Sequence, residues 1–175
     1  MLIDNPEELL DLVNENDVVI DNILREEVPN LSNNKKGFVR AVGVFLQNSN
    51  DQLFIPTRSL QKKLLPGAYD FSAAGHVGSG QSYEKAAFQE TAEELNIVLT
   101  KNELKFVGAL PPMHGVPYFN HIFVVSYNKT PLYNKEDFYK AEWLYPEELI
   151  ESIKSGHPAK QVILPSLELL KNTKP

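Results

Sequence analysis

This sequence predicts an α/β chain with helices packed on both faces of a mixed sheet. Three observations carry the prediction. Apolar and β-branched runs of strand length recur through the chain, one longer helical segment near the middle interrupts them, and two amphipathic helical segments close the chain. Strands, a central helix, more strands and then helices suit a sheet sandwiched between helical layers.

The elements can be taken in order. Residues 7–13 have helix-forming composition. Residues 17–24 read as a strand with a bend at Asp21-Asn22, and residues 28–36, rich in Asn and Lys, as a loop. Residues 37–47 form a β-branched and apolar strand, residues 48–51 a turn, and residues 52–57 the returning partner of a hairpin. Pro66-Gly67 turns the chain before residues 68–77, which read as strand and loop. Ser82 is placed to cap a helix, with Glu84 in its first turn, where acid is favoured. Ala87, Thr91 and Leu95 share one side of that helix with Phe88 beside them, which is the face expected to be buried. Residues 105–110, 121–127 and 140–144 read as strands, and residues 146–154 and 161–170 as amphipathic helices.

A length of 175 residues suggests one domain, with an N-terminal arm over 1–36, a core over 37–127 and a late strand with C-terminal helices over 128–175. At 42% hydrophobic residues the chain can build an ordinary core. The absence of cysteine excludes disulfides, thiolate metal sites and cysteine nucleophiles. A net charge of −6 argues against a nucleic-acid polymer as partner. No apolar run approaches the roughly 20 residues of a membrane span, and the first residues lack the basic flank of a signal peptide. A cytoplasmic protein without a membrane partner is the expectation, and a homodimer is left open.

The most informative stretch is residues 75–97. A loop opening with Gly75 leads into a helix that carries Glu90, Glu93 and Glu94. Residues three and four apart share a helix face, so these carboxylates crowd one turn and repel at neutral pH. A divalent cation relieves that repulsion, and hard cations are commonly held between protein carboxylates and substrate phosphates.

The stretch resembles the signature of the Nudix superfamily. Gly75, Glu90, Glu93, Glu94 and Ile97 fall on its positions without a gap. The departures are Gln81 for Glu, Gln89 for Arg, Thr91 in an apolar slot and Asn96 for Gly. In the family the residues at positions 81 and 89 pair as ions. Two glutamines can replace that pair by a neutral hydrogen bond, since each has a donor and an acceptor. Asn tolerates the left-handed backbone that ends helices, so the helix end should survive. The resemblance implies the α/β/α Nudix fold around a mixed sheet. It also implies Mg²⁺ or Mn²⁺ at Glu90, Glu93 and Glu94, assisted by the carbonyl of Ala74 or Gly75. Catalytic roles would fall to Glu93 and Glu90, with a small-molecule diphosphate as substrate.

Upstream, Arg58, Lys62-Lys63 and Pro66-Gly67 precede Gly75-His76, and Arg40-Ala41 opens a strand. This arrangement looks like the isopentenyl-diphosphate isomerase branch of the superfamily. The resemblance implies that Arg58 and Lys62 contact a diphosphate, and that His76 touches metal or diphosphate. The isomerase chemistry itself is not supported. Ala74 stands where those enzymes have a catalytic cysteine, Val39 where they have a metal-binding histidine, and Phe119-Asn120-His121 brings no carboxylate. Hydrolysis of a diphosphate linkage is therefore the expected activity. The isomerase, or a binding module weakened at Gln81 and Gln89, is the alternative.

Other residues have plainer readings. His121 suits a structural role on an apolar strand, His114 a loop bordering the pocket, His157 an exposed site, and Trp143 a structural place in the late strand. Glu136 or Asp137, just before that strand, could supply a general base in place of Glu93.

Overall fold

The computed structural model describes residues 5–31, 37–113 and 115–173. The expected loop over 28–36 and the expected pocket-bordering His114 therefore lie partly or wholly outside the described residues. Two antiparallel strands, β1 (Leu9–Val13) and β2 (Val19–Leu24), form an N-terminal hairpin, followed by a 3₁₀ helix over Arg25–Asn30. The main sheet contains β3 (Val39–Gln47), β4 (Leu53–Arg58), β5 (Ala73–His76), β6 (Lys105–Leu110), β7 (Tyr118–Ser126) and β8 (Phe138–Leu144). The helices are α1 (Tyr83–Leu95), α2 (Pro146–Lys154) and α3 (Ile163–Asn172). Among the described residues no helix is long and apolar enough to cross a membrane.

Two of the expected elements are corrected. Residues 9–13 are a strand instead of a helix. Leu10 and Leu12 alternate with Asp11 and bury into a small cluster with Val28, Leu31 and Val39, and this period of two overrides the helix-forming composition. The bend expected at Asp21-Asn22 falls one residue earlier: pairing is even through Asp11↔Asn22 and Leu12↔Asp21, and the register then shifts to Val13↔Val19, passing over Ile20.

The sheet order is β6-β7-β3-β4-β8, with β3 and β7 parallel and the other pairs antiparallel. The strand β3 is nearly all apolar because both of its faces are covered. Val42, Val44 and Leu46 face a core with Ala86, Ala87 and Leu95 of α1. On the opposite face Phe45 joins Ile55, Phe71 and Ile122 under Leu149, Ile163, Leu167 and Leu170 of α2 and α3. This is the expected α/β/α sandwich. Gly43 leaves room for the Phe71 ring, since a Cβ there would stand 2.7 Å from it.

The hairpin expected between β3 and β4 survives only at its base, Gln47↔Leu53. Beyond that point the strands part and β4 pairs with β8. The strand β5 takes the vacated edge of β3, in register Val44↔Ala73 to Ala41↔His76. At the fork the buried Ser72 hydroxyl donates to Phe54 O at 2.6 Å and accepts from Leu46 N at 2.8 Å. One side chain thus replaces the backbone bond that the parted strands cannot make. This fork carries Ala74 and Gly75 to the middle of the sheet, beneath α1.

Candidate active site

The helix α1 begins as its sequence requires. Ser82 caps it, with its hydroxyl accepting from Lys85 N at 3.2 Å. It ends on Asn96 in the left-handed region, φ 56° and ψ 34°, so Asn serves where the family has glycine. Thr91, in the apolar slot, is fully buried, and its hydroxyl is satisfied by Ala87 O at 2.7 Å. Its buried positions are Ala86, Ala87, Thr91 and Leu95. Ala86, not Phe88, flanks the expected trio, and Phe88 is half-buried.

The remaining face of α1 lies against β5. Glu94 Oε2 accepts from Ala74 N at 2.9 Å. The Glu90 carboxylate rests directly on Gly75, where an added Cβ would come within 1.9 Å of Oε1. Only glycine leaves that space open. Both carboxylates titrate high. Burial, then the charge of Glu93, pushes Glu90 up to about 7. Burial, then the charges of Glu90 and Asp70, pushes Glu94 well above the usual carboxylate range, against the Ala74 hydrogen bond and the charge of Lys160. Glu93 is exposed and accepts from Gln89 Nε2 at 3.0 Å.

The glutamine pair is in contact. Gly78 N donates to Gln81 Oε1 at 3.0 Å, Gln81 Nε2 to Gln89 Oε1 at 2.9 Å, and Gln89 Nε2 onward to Glu93. The glycine loop is thereby tied to α1 without a charge.

Among the described residues no three His, Asp or Glu side chains converge as a ready metal cluster. The donor set nonetheless fits a hard divalent cation. Mg²⁺ is usually held by one or two protein carboxylates, and water and phosphate complete its shell. Glu90 and Glu94 supply two carboxylates one helical turn apart, each disfavoured in its ionised form by burial and then by the charge around it.

The basic residues are engaged inside the protein. Arg58 donates from Nε and Nη2 to Leu64 O at 3.1 and 2.9 Å, and its Nη1 meets Asp70 Oδ2 at 2.7 Å. It therefore clamps the loop that follows it. Lys62 Nζ lies 2.7 Å from Asp137 Oδ1. Of the two alternative bases, Asp137 is thus held by Lys62, and Glu136 is exposed on the surface. His76 ends β5 with its ring 5.4 Å from that of Tyr118. His121 is structural: it stacks on Tyr83 at 3.5 Å, and burial lowers its pKa. His157 is not exposed as expected but half-buried, stacked on Tyr69 at 3.8 Å. Trp143 packs on Phe54 in the α1-side core.

Two residues of this neighbourhood escaped the sequence reading, Asp70 and Lys160. Asp70 is 2% exposed and joins Arg58 to Lys160, whose Nζ lies 2.7 Å from Oδ1. A lone Asp inside the apolar run 68–74 was the available signal for the first. Nothing local marks Lys160, which is 90 residues away in sequence from its partner.

Comparison with known proteins bears on the fold and the family. The NUDIX domain family model matches residues 37–167. A Nostoc sp. protein named as an uncharacterized Nudix hydrolase is 39% identical over 163 residues, covering 93% of this chain and 95% of that protein. The crystal structure of DR0079 from Deinococcus radiodurans aligns with a TM-score of 0.80 at 36% identity, covering 92% of this chain and 98% of that one. Isopentenyl-diphosphate Delta-isomerase 2 of Photorhabdus laumondii is similar at 25% identity over 142 residues, covering 79% and 77%.

Proposed function

The chain belongs to the Nudix hydrolase family, and on that premise we propose that it cleaves a diphosphate linkage in a small organic molecule, using Mg²⁺ or Mn²⁺. The observation that carries this reading is the seat of the Glu90 carboxylate on Gly75 beside the half-buried Glu94. Two carboxylates kept close against burial and mutual repulsion are poorly placed unless a cation joins them.

Glu90 and Glu94, with the carbonyl of Ala74 or Gly75, would hold the metal. A bound divalent cation screens the phosphoryl oxygens and makes water a stronger acid. Glu93, exposed on the same helix and steadied by Gln89, is assigned the proton of the attacking water. The water oxygen bonds to phosphorus, the bridging P–O bond breaks, and the bridging oxygen leaves with the second phosphate. Arg58 keeps two of its five N–H donors beyond those given to Leu64 and Asp70. With Lys62 it is assigned the phosphate that is not attacked. His76, at the end of β5, is assigned a contact to the same diphosphate. Positioning and electrostatics supply most of the catalysis in such transfers.

A phosphate-release screen with Mg²⁺ and Mn²⁺ tests the reading. It should span nucleotide sugars, dinucleotides, nucleoside triphosphates, CoA and prenyl diphosphates. Chelator-sensitive release from at least one class is expected. No release from any class, or release that chelator leaves unchanged, would overturn it. Interconversion of prenyl diphosphates without release would identify an isomerase instead.

A further inference from the structure

Alternation in β1 sends Leu10 and Leu12 into a core and Asp11 to the opposite face of the hairpin, where a carboxylate would ordinarily meet water. Asp11 is instead buried, at 6% exposed, because the glycine loop lies across it. Its Oδ1 accepts from the Ser79 hydroxyl at 2.8 Å, both of its oxygens lie 3.2 Å from Gly80 N, and Arg40 Nη1 stands 3.4 Å from Oδ2. The backbone adds to the hold, since Ser79 N donates to Leu9 O at 2.8 Å and Leu10 bridges Gly78. A buried carboxylate that has exchanged water for these partners gives them up only at a cost, so the loop is fastened to β1.

A second hold lies at the turn between β1 and β2. Asp17, in the left-handed region at φ 59°, accepts at 2.9 Å from the hydroxyl of Tyr83, the first residue of α1, and its Oδ1 meets Arg40 Nε at 2.6 Å. The hairpin thus grips the chain on both sides of Gln81. From Gln81 the amide relay runs to Gln89 and ends on Glu93. Gln89 and Glu93 are exposed, so water competes for each bond of the relay, and its geometry depends on how firmly its first member is held. The NUDIX domain match begins at residue 37, so the hairpin that does the holding lies outside the matched segment.

We infer that this hairpin is a working part of the site, and that Asp11 is a positioning residue which sets the Glu93 carboxylate through Ser79, Gly80, Gln81 and Gln89. The inference rests on the functional reading above, in which Glu93 takes the proton of the attacking water, and adds to it the element that aims that group.

The test uses the whole protein. Nuclear Overhauser cross-peaks between the Gln89 side-chain amide protons and the Glu93 Cγ protons report the end of the relay without any substrate. In Asp11→Ala they should vanish, while the Trp143 indole resonance stays in place, because its packing on Phe54 is untouched. Asp11→Asn, which keeps an oxygen for Ser79 and Gly80, should restore them. Ser79→Ala, a milder cut at an exposed residue, should weaken them and decides the matter if Asp11→Ala does not fold. On a substrate from the phosphate-release screen, Asp11→Ala should lower kcat roughly tenfold or more with KM nearly unchanged, the pattern of a misplaced group that acts in the transition state. Added to Glu93→Gln it should lower kcat no further, since both changes remove one contribution. Cross-peaks absent from the unmodified protein or persisting in Asp11→Ala, or an equal fall in kcat on the Glu93→Gln background, would overturn the inference. Wild-type turnover in Glu93→Gln would instead fault the functional reading, and the cross-peaks alone would decide the linkage.

Discussion

Gln81 Nε2 donates to Gln89 Oε1 at 2.9 Å, and Gln89 passes the chain on to Glu93. A neutral amide pair therefore occupies the positions that the family's signature gives to a Glu and an Arg, and it holds Glu93 by one hydrogen bond. Changing one member alone leaves a carboxylate facing an amide oxygen, or a guanidinium facing an amide nitrogen. Gln81→Glu and Gln89→Arg should each be worse singly than together. A double-mutant cycle on thermal unfolding should give a coupling near the low end of the usual 0.5–3 kcal/mol range, about 0.5 kcal/mol, because both side chains are exposed or half-exposed. Additive effects would mean that the contact does not hold in solution.

The Glu90 seat makes Gly75→Ala a direct probe of the metal site. A methyl group would stand 1.9 Å from Glu90 Oε1, so the carboxylate must leave its position. Mn²⁺ affinity, followed by electron paramagnetic resonance, should fall at least roughly tenfold, the scale of losing one ligand's orientation. Circular dichroism should show the fold retained. Undiminished Mn²⁺ affinity would show that Glu90 is not a ligand.

Glu94→Gln separates activity from stability. Turnover should drop by roughly two orders of magnitude, as when a metal-centred electrostatic contribution is removed. The amide oxygen can still accept from Ala74 N, and a half-buried carboxylate disfavoured by its partial burial and by the charges of Glu90 and Asp70 is replaced by a neutral group. The metal-free variant should therefore melt no lower than the parent at pH 8. Wild-type turnover would sink the mechanism, and a large fall in Tm would contradict the electrostatic argument.

Acidity provides a further check. Glu90 is raised to about 7 in the folded, metal-free protein, above the value it has when unfolded. The folded state therefore binds more protons between the two values, and this group's effect is to lower stability as pH rises from about 4.5 to 7. Below that window both states are protonated and the penalty vanishes. In chelator, Glu90→Gln should raise Tm relative to the parent at pH 8 and leave it nearly level at pH 4.5. Saturating Mg²⁺ should remove the parent's disadvantage at pH 8, since the cation stabilises the ionised pair.

Arg58 carries two assignments that kinetics and melting can divide. As the clamp on Leu64 O and Asp70, its loss should cost about 3 kcal/mol, because a buried carboxylate loses one of two cations. As a contact to an unreacting phosphate, its loss should raise KM more than it lowers kcat. Arg58→Ala should do both, and Arg58→Lys should restore the Asp70 pair but not the fork to Leu64. A lower Tm with unchanged KM would leave only the clamp.

The helix with its three glutamates, its serine cap and its asparagine end was legible because each depends on residues within one or two turns of each other. The strand β1 was misread because leucine and glutamate favour helices, whereas the Leu10/Leu12 alternation has meaning only once β2 and Val39 are present. The divergence of β3 and β4 was hidden for the same reason, since the competitor for β3 comes from residues 73–76, beyond the turn that suggested a hairpin. In the site, Gly75 and the glutamates could be read from spacing. The partners of Arg58 and Lys62 could not, because Asp70 and Asp137 reach them only through the folded sheet.

The Ser72 hydroxyl, bonded to Leu46 and Phe54, has a consequence for how this protein could be stabilised. A continuous β3–β4 ladder would take β3 from β5 and the β4 edge from residues 67–72, so backbone hydrogen bonds would be exchanged and not gained. Changes meant to raise thermal stability should therefore leave position 72 alone: Ser72→Ala would orphan Leu46 N and Phe54 O, a loss of about 1–3 kcal/mol, and would loosen the platform under Glu90.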